Sequence, residues 1–201
     1  MSVGKKSALF IFLILLIDQA LKIWIKTNMQ IGDEIRLFGN RGMLHFIENN
    51  GMAFGMEMGG KPGKLILSVF RIIAISGITW FLVSLIQRKT NTGLVLAISA
   101  ILAGAVGNII DSAFYGMIFT ESYNQVATIF PHGGGYSSFL HGKVVDMFYF
   151  PIINTHWPDW SPIKPGQSLI FFRPVFNLAD SAITCGVLSI ILFQKKMFRD
   201  L

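Results

Sequence analysis

Two aspartates stand in apolar stretches of this chain, where a carboxylate is costly. Asp146 lies in Lys143-Val-Val-Asp-Met-Phe-Tyr-Phe150, and Asp180 lies in Phe176-Asn-Leu-Ala-Asp180, at the start of the last apolar run. Burying an ionised group beside hydrocarbon costs several kcal/mol unless the group is paired or kept neutral. Two close carboxylates in a poorly solvated place share one proton, so one can take a proton from water while the other polarises a carbonyl. The two residues therefore predict hydrolysis by a carboxylate pair.

Polar residues also recur at helical spacing in two other apolar segments. Asp18 and Lys22 are four residues apart, with the acid on the N-terminal side, as an ion pair on one helix face prefers. Asn108 and Asp111 follow Gly104 at steps of four and three residues, so all three share one stripe. Gly104 alone is explained equally well by close helix packing. The amide and the carboxylate predict a polar site.

The depth of these residues predicts that they meet. Asn177 and Asp180 are three residues apart and share a helix face. At about 1.5 Å per helical residue, Asp180, Asp111 and Asp18 lie about 9, 6 and 14 Å from the outer ends of their predicted helices. All three fall in the outer half of a bilayer, and Asp146, on a strand that begins just outside it, can reach the same level. We expect one polar cluster.

Other hydrolytic chemistries have no matching pattern. The four histidines lack metal-ligand spacing, and no pair stands at i, i+4 on a predicted helix. No Gly-x-Ser-x-Gly turn and no evident Ser–Lys or Cys–His arrangement is present. We therefore expect neither a metal nor another cofactor, and the carboxylate pair points to aspartic peptidase chemistry.

The elements that position these residues are those of a membrane protein. Of 201 residues, 52% are hydrophobic and 14% charged, and the mean hydropathy is +0.56, outside the soluble globular range. A helix needs about 20 mostly apolar residues to cross a hydrocarbon core of about 30 Å. Four segments qualify, at about residues 7–27, 65–87, 93–115 and 174–194. We expect a mainly α membrane protein with all 201 residues in a single four-helix domain.

The basic residues predict the orientation of the helices. Lys and Arg near helix ends are retained in the cytoplasm. Seven fall on one side of the predicted membrane: Lys5, Lys6, Arg88, Lys89, Lys195, Lys196 and Arg199. We therefore expect both termini in the cytoplasm. The net charge of +6 reflects this topology and not nucleic-acid binding, because no basic cluster is interleaved with exposed aromatic residues.

The two outer connections differ in length and content. Residues 28–64 contain a strand-like run at 43–47 that ends at the turn signal Glu48-Asn-Asn-Gly51, so we expect a small extracytoplasmic β element between the first two helices. Residues 116–173 form a long extracytoplasmic segment between the third and fourth helices, with a second strand-like run at 144–150. Loops of this length are uncommon unless they are functional or disordered.

Five short motifs follow one another along the chain. They are Asp18-Gln-x-x-Lys22, Asn49-x-Gly-x-Ala-Phe54, Gly104-x-x-Gly-Asn-x-x-Asp111, Val144-Val-Asp146 and Phe176-Asn-x-Ala-Asp180. In this order, on four predicted crossings, they resemble lipoprotein signal peptidase, also called signal peptidase II. The resemblance spans nearly the whole chain, and the combination is far more specific than any single motif.

The resemblance implies an intramembrane aspartic endopeptidase of the bacterial inner membrane, with its active site near the outer face. Its substrate would be a prolipoprotein whose cysteine carries a diacylglyceryl group, cut on the N-terminal side of that cysteine. The enzyme would work among membrane lipids, without a cofactor, and would be sensitive to the cyclic peptide globomycin. By the same resemblance, Asp146 and Asp180 would be the catalytic dyad.

The resemblance also implies roles for supporting residues. Asn108, Asp111 and Asn177 would orient the dyad and the substrate, and Asp18 and Lys22 would brace the core. The remaining candidates for substrate binding or support of the site are Asn49, Gly51, Phe54 and Phe176.

The chain departs from the family pattern in two respects. The family commonly has an arginine directly after the aspartate of the third helix, where this chain has Ser112. We hypothesise that Arg71, near the outer end of the second helix, supplies the missing charge. The segment between the third and fourth helices is also longer than the compact form of the family, with additions around residues 117–141 and 151–173.

A small proton-coupled transporter is the main alternative, because intramembrane Asp, Asn and Lys also build ion relays. A relay predicts polar residues across the whole membrane, whereas the cytoplasmic halves of the four predicted helices are almost wholly apolar. A scaffold that binds partner helices would explain the glycines but not the carboxylates.

Overall fold

The computed structural model describes residues 1–39, 41–50, 60–151, 153–156, 158–160, 162, 164, 166–171 and 174–199. Within these residues, four helical spans are long and apolar enough to cross a membrane: Val3–Asn28, Pro62–Gln87, Thr92–Ile118 and Leu178–Met197. The mainly α membrane fold predicted from composition is therefore confirmed.

The helices lie close to their predicted positions, with one exception. They are α1 (Val3–Asn28), α2 (Gly60–Gln87), α3 (Thr92–Ile110), a π-helical turn (Asp111–Tyr115), α4 (Gly116–Ile118) and α5 (Leu178–Met197). The predicted start of the last helix at residue 174 is wrong, because Val175 and Phe176 pair with a strand and Asn177 caps the helix. Asp180 consequently lies in the first turn of α5, not about 9 Å inside it.

A small antiparallel sheet lies at the end of α1. Its strands are β1 (Glu34–Arg36), β2 (Met43–Asn49), β3 (Val144–Tyr149) and β6 (Val175–Phe176), in the order β1-β2-β3-β6. A separate hairpin, β4 (Ile153–His156) with β5 (Ser168–Phe171), lies in the second predicted addition, around residues 151–173. The predicted β element between the first two helices is confirmed, but the sheet also takes strands from the second connection.

The strand β2 is longer than predicted and contains a bulge. Glu48 and Asn49, predicted to begin a turn, pair with Val145 and Val144 instead. Leu44 pairs with Phe148 and Ile47 with Asp146, so β2 carries one extra residue between these pairs. Because side chains alternate along a strand, Asn49 shares a sheet face with Asp146, and Glu48 shares the opposite face with Val145.

Helix α3 lies at the centre of the helix bundle, against α1, α2 and α5. A Cβ atom on Gly104 would lie 2.2 Å from the Ala179 carbonyl oxygen, and one on Gly107 would lie 2.8 Å from Asp18 Oδ2. Glycine at these positions therefore brings α3 against both α5 and α1. This close approach places the polar residues of the three helices within reach of each other.

Two apolar clusters stabilise the ends of the bundle. Side chains of α1, β2, β3 and the residues after α3 form the first: Ile25, Met29, Phe46, Tyr115, Phe119, Ala127, Val145 and Met147. Side chains of α2, α3 and α5 form the second: Leu82, Leu85, Leu94, Val95, Ala97, Ile98, Leu102 and Met197. The polar residues lie between them.

The first predicted addition, around residues 117–141, packs along the end of the third span. Backbone N–H groups of Gly142, Ser137 and Phe130 donate to the carbonyl oxygens of Ser112, Gly116 and Ile118 at 2.8, 2.8 and 2.7 Å. Carbonyl groups at a helix end lack partners within the helix. The added segment therefore satisfies them where the span meets the sheet.

Candidate active site

The predicted polar residues of the described chain meet at one place. They come from three helices and two strands: Asp18 and Lys22 from α1, Asn49 from β2, Asn108 and Asp111 from the third span, Asp146 from β3, and Asn177 with Asp180 from the start of α5. Gly51 and Phe54 lie outside the described residues.

Asp146, which lies on β3, is held by two asparagines from other elements. Asn177 Nδ2 donates to Asp146 Oδ1 at 2.7 Å, and Asn49 Nδ2 donates to Asp146 Oδ2 at 3.2 Å. Asp146 is only 2% exposed. Burial, followed by the negative charge of Asp180, raises the pKa of Asp146 to about 7, although the asparagine hydrogen bonds oppose this change. Asp146 can therefore retain a proton near neutral pH.

Asp180 lies in the first turn of α5 and closes a capping box. Its backbone N–H donates to Asn177 Oδ1 at 2.9 Å, while Asn177 N–H donates to Asp180 Oδ2 at 3.3 Å. Asn108 Nδ2 donates to the other carboxylate oxygen at 2.8 Å. The positive end of the helix dipole stabilises a negative charge at this position.

Asn177 connects the two carboxylates. Besides its bonds to Asp146 and to the Asp180 backbone, its amide donates to Asn108 Oδ1 at 3.0 Å and to the Val145 carbonyl at 3.3 Å. The residue is fully buried. The Asn177 side chain donates to the Asp146 carboxyl group, and the Asn177 backbone N–H donates to that of Asp180, so both carboxyl groups lie around this one residue.

Lys22 is a buried cation close to the polar side chains around Asp146 and Asp180. Its Nζ donates to Asp18 at 2.9 Å, to Asp111 at 2.8 Å and to Asn108 Oδ1 at 3.0 Å, which uses all three ammonium protons. Asp18 accepts from the Ala179 N–H at 3.0 Å, and Asp111 accepts from the Val145 N–H at 3.3 Å. Both acids thus align the backbone directly beside the dyad residues.

The departure from the family pattern at Ser112 leaves Asp111 paired with Lys22. The Ser112 hydroxyl donates to the Asn108 carbonyl at 3.1 Å, within its own helix. Arg71, partly buried on α2, is close enough to interact electrostatically with Asp180, Asp111 and Asp146, and most strongly with Asp180. The arginine therefore brings positive charge mainly toward the candidate dyad.

Phe176 lies beside the polar cluster in an aromatic group. Its ring centre is 6.0 Å from that of Phe148 and 5.9 Å from that of Phe150. Phe176 pairs with Phe148 across β6 and β3 and directly precedes Asn177. The packing of these rings fixes the strand from which the capping asparagine extends.

The sequence prediction omits Gln19 from the site. Its Nε2 donates to Asp111 at 2.9 Å and to Asp18 at 3.1 Å, and its Oε1 accepts from the Tyr115 hydroxyl at 3.1 Å. The only signal was its position next to Asp18 in the first motif. Among the described residues, no group of three or more His, Cys, Asp or Glu side chains is placed to hold a metal ion.

Comparison with known proteins decides the family. The sequence model described as signal peptidase (SPase) II matches residues 10–196. The chain belongs to the signal peptidase II family. Its four apolar helices and its family make it a multi-pass bacterial membrane protein, and signal peptide removal is its activity. The transporter and scaffold alternatives are therefore wrong.

Individual relatives match the chain over most of its length. A lipoprotein signal peptidase of Porphyromonas gingivalis is 46% identical over 190 residues, which cover 94% of this chain and 82% of that protein. One from Amoebophilus asiaticus is 41% identical over 187 residues, covering 91% and 75%. A solved structure titled as a bacterial membrane enzyme has a TM-score of 0.60 at 25% identity, and covers 96% of this chain and 88% of that one.

Proposed function

We propose that this protein is an aspartic endopeptidase whose catalytic residues are Asp146 and Asp180. Its substrates are diacylglyceryl-modified prolipoproteins, which it cleaves on the N-terminal side of the lipidated cysteine. The contact of Asn177 with both carboxyl groups carries the assignment of the dyad. The names of the similar proteins support the lipoprotein substrate.

The surroundings of the two aspartates support different roles. The pKa of Asp146, raised to about 7 mainly by burial, supports Asp146 as the proton donor. Asp180 lies at the N-terminus of α5 and accepts hydrogen bonds from Asn108 and Asn177, which supports Asp180 as the negatively charged general base.

The reaction then proceeds through a tetrahedral intermediate, with two proton transfers as it forms and two as it breaks down. Asp180 takes a proton from water as the water oxygen attacks the peptide carbonyl carbon, and Asp146 gives its proton to the carbonyl oxygen. Asp180 next passes its proton to the amide nitrogen, and the C–N bond breaks. Asp146 recovers a proton from a hydroxyl of the intermediate, which leaves a carboxyl product and restores the starting state.

The supporting residues act on these two groups. Asn49 and Asn177 orient Asp146, and Asn108 orients Asp180. Lys22 donates to Asn108, and its two buried acid partners, Asp18 and Asp111, accept from the backbone N–H groups of Ala179 and Val145. These contacts hold the backbone next to each dyad residue. Gly51, Phe54 and Phe176 contact or support the substrate.

The distribution of basic residues supports the proposed orientation in the membrane. Both termini lie in the cytoplasm of a bacterium, the chain spans the inner membrane, and the dyad lies near the outer face. A lipid-anchored substrate presents its scissile bond at that level and enters sideways from the surrounding lipid. A globomycin-type cyclic peptide inhibits the enzyme.

Arg71 supplies the charge that family members commonly carry after the aspartate of the third helix. Its electrostatic interaction with Asp180 and Asp146 supports this compensation. Arg71→Ala should lower kcat and Arg71→Lys should restore part of it, with the melting temperature as the control for folding. Unchanged cleavage by folded Arg71→Ala would show that Arg71 is not the replacement.

The substrate assignment is tested with purified enzyme in lipid and matched substrates. One prolipoprotein carries the diacylglyceryl group on its cysteine, and the other is the same unmodified chain. We expect cleavage of the modified protein, with mass spectrometry locating the cut directly before the cysteine, and inhibition by globomycin. Equal cleavage of both proteins, or a cut elsewhere, would refute the substrate class.

A further inference from the structure

A second buried ion pair lies one helical turn beyond Lys22 and has no part in the chemistry above. Lys26 is 0% exposed and the Glu48 side chain 2%, and they form an ion pair between α1 and β2. Lys26 Nζ also donates to Ser122 Oγ at 2.9 Å. Three aromatic rings surround the ammonium group, with centres at 6.0, 5.2 and 5.2 Å: Phe46, Phe119 and Tyr136.

Glu48 is the centre of this ion cluster. Ser122 Oγ donates to Glu48 Oε1 at 3.0 Å, and Lys143 Nζ lies 3.1 Å from Glu48 Oε2. Burial raises the pKa of Glu48, but the charges and hydrogen bonds of Lys26 and Lys143 outweigh it, so the pKa falls below its ordinary value. Glu48 is therefore ionised at neutral pH. Lys143 in turn pairs with the exposed Glu121 at 3.0 Å.

Stability alone is a weak reason for such a pair. The loss of hydration on burying two charges often equals or exceeds their attraction, so apolar residues of the same volume are frequently as stable. Buried ion pairs are better explained where they select one alignment of the chain over another. The neighbours of Glu48 show which alignment is selected.

Glu48 and Asn49 lie on opposite faces of the same strand. Asn49 lies on the face of Asp146 and donates to it, whereas Glu48 lies on the face of Val145, within the apolar cluster around Lys26. A slip of one residue exchanges the two faces of a strand. Such a slip would place the Glu48 carboxylate beside Asp146 and leave Lys26 without its partner. Backbone hydrogen-bonding groups are the same at every residue, so the side chains decide which alignment forms.

We propose that the Lys26–Glu48 ion pair locks the register of β2 and thereby holds the Asn49 amide against Asp146. Glu48 is then a positioning residue, which acts on the dyad through Asn49. The inference rests on the proposed catalytic role of Asp146. It also gives a role to the first addition to the family's compact form, around residues 117–141, because Ser122, Phe119 and Tyr136 all come from that segment.

The test is a double-mutant cycle in the full-length enzyme. Lys26→Met/Glu48→Gln removes both charges together, so no unpaired charge stays buried, and Asn49→Ala removes the amide. We expect each to lower kcat by about tenfold, the order that one lost hydrogen bond to a reacting carboxyl gives, with KM little changed. Combining them should lower kcat no further than Asn49→Ala alone, because both changes remove the same contact.

Several controls keep the outcomes distinct. Glu34→Gln breaks the exposed Glu34–His45 pair on the same sheet, and should leave kcat unchanged. Ser122→Ala removes one hydrogen bond to Glu48 but keeps both charges, so it should lower kcat by less than the charge-free variant does. It replaces the charge-free variant in the test if that variant does not fold. Hydrogen exchange of the β2 amides measures the lock without catalysis, and should be faster in either variant of the ion cluster.

Two results would overturn the register lock. One is a fold-loss of kcat in the combined variant equal to the product of the two separate fold-losses, since Glu48 would then act independently of Asn49. The other is unchanged kcat and unchanged β2 exchange in Lys26→Met/Glu48→Gln and in Ser122→Ala. Failure of the proposed function is seen separately, as full activity of Asp146→Asn in otherwise wild-type enzyme.

Discussion

Replacing Asp146 with asparagine should change the pH dependence of stability by an amount set by its burial. The folded chain holds the Asp146 pKa at about 7, against an ordinary value of 3.8. Between these values the unfolded chain has lost the proton and the folded chain keeps it, so stability falls as pH rises and is level above about pH 7. Asparagine does not titrate, so the stability of the variant does not fall with pH through this group.

The size of the effect follows from the pKa difference. From pH 5.5 to pH 7 the wild type loses about 2 kcal/mol through this group, at about 1.36 kcal/mol per pH unit. Asp146 is only 2% exposed, so little solvent screening reduces the figure. For a chain of this size, 2 kcal/mol corresponds to about 4–8 °C in melting temperature.

The assay is thermal unfolding in detergent at pH 5.5 and pH 8. The melting temperature of Asp146→Asn minus that of the wild type should be about 4–8 °C larger at pH 8 than at pH 5.5. Any hydrogen bond lost by the asparagine shifts both measurements equally and cancels. Asp159→Asn, which alters an exposed carboxylate, is the matched control and should show no such difference. An equal difference at both pH values would refute the assignment of the proton to Asp146.

Three further predictions follow from the same contacts. Lys22→Met leaves Asp18 and Asp111 buried without their cation and should lower the free energy of unfolding by about 3–5 kcal/mol, measured by denaturant titration, with a parallel loss of cleavage. Gly104→Ala places a methyl group 2.2 Å from the Ala179 carbonyl oxygen and should cost about 1–3 kcal/mol in the same measurement, whereas an unchanged midpoint would contradict the close approach. Metal chelators should leave cleavage intact, and a loss that zinc reverses would contradict a metal-free dyad.

The meeting of the polar residues was predictable because apolar spans allow few places for them. Asp18 and Lys22 had to find partners at their own depth, and in the structure Lys22 pairs with both Asp18 and Asp111. The start of α5 was less predictable, since Val175 and Phe176 suit a strand as well as a helix. The spacing of Asn177 and Asp180 nevertheless carried the signal of a capping box.

Contacts between distant parts of the chain could not be predicted from local patterns. The Lys26–Glu48 pair joins residues that no helical or strand spacing relates. The bulge in β2 is likewise set by its partner β3 and not by its own alternation of side chains. Gln19 was missed because a neutral amide beside a charged residue in a helix carries no distinctive signal.

The most direct test of the dyad compares the cleavage of a diacylglyceryl-modified prolipoprotein by wild type, Asp146→Asn, Asp180→Asn and the exposed-site control Asp159→Asn. Each purified enzyme is first shown to be folded by its melting temperature. The account predicts that both dyad variants lose cleavage while the control cleaves like the wild type. Full activity in either Asp146→Asn or Asp180→Asn would contradict it.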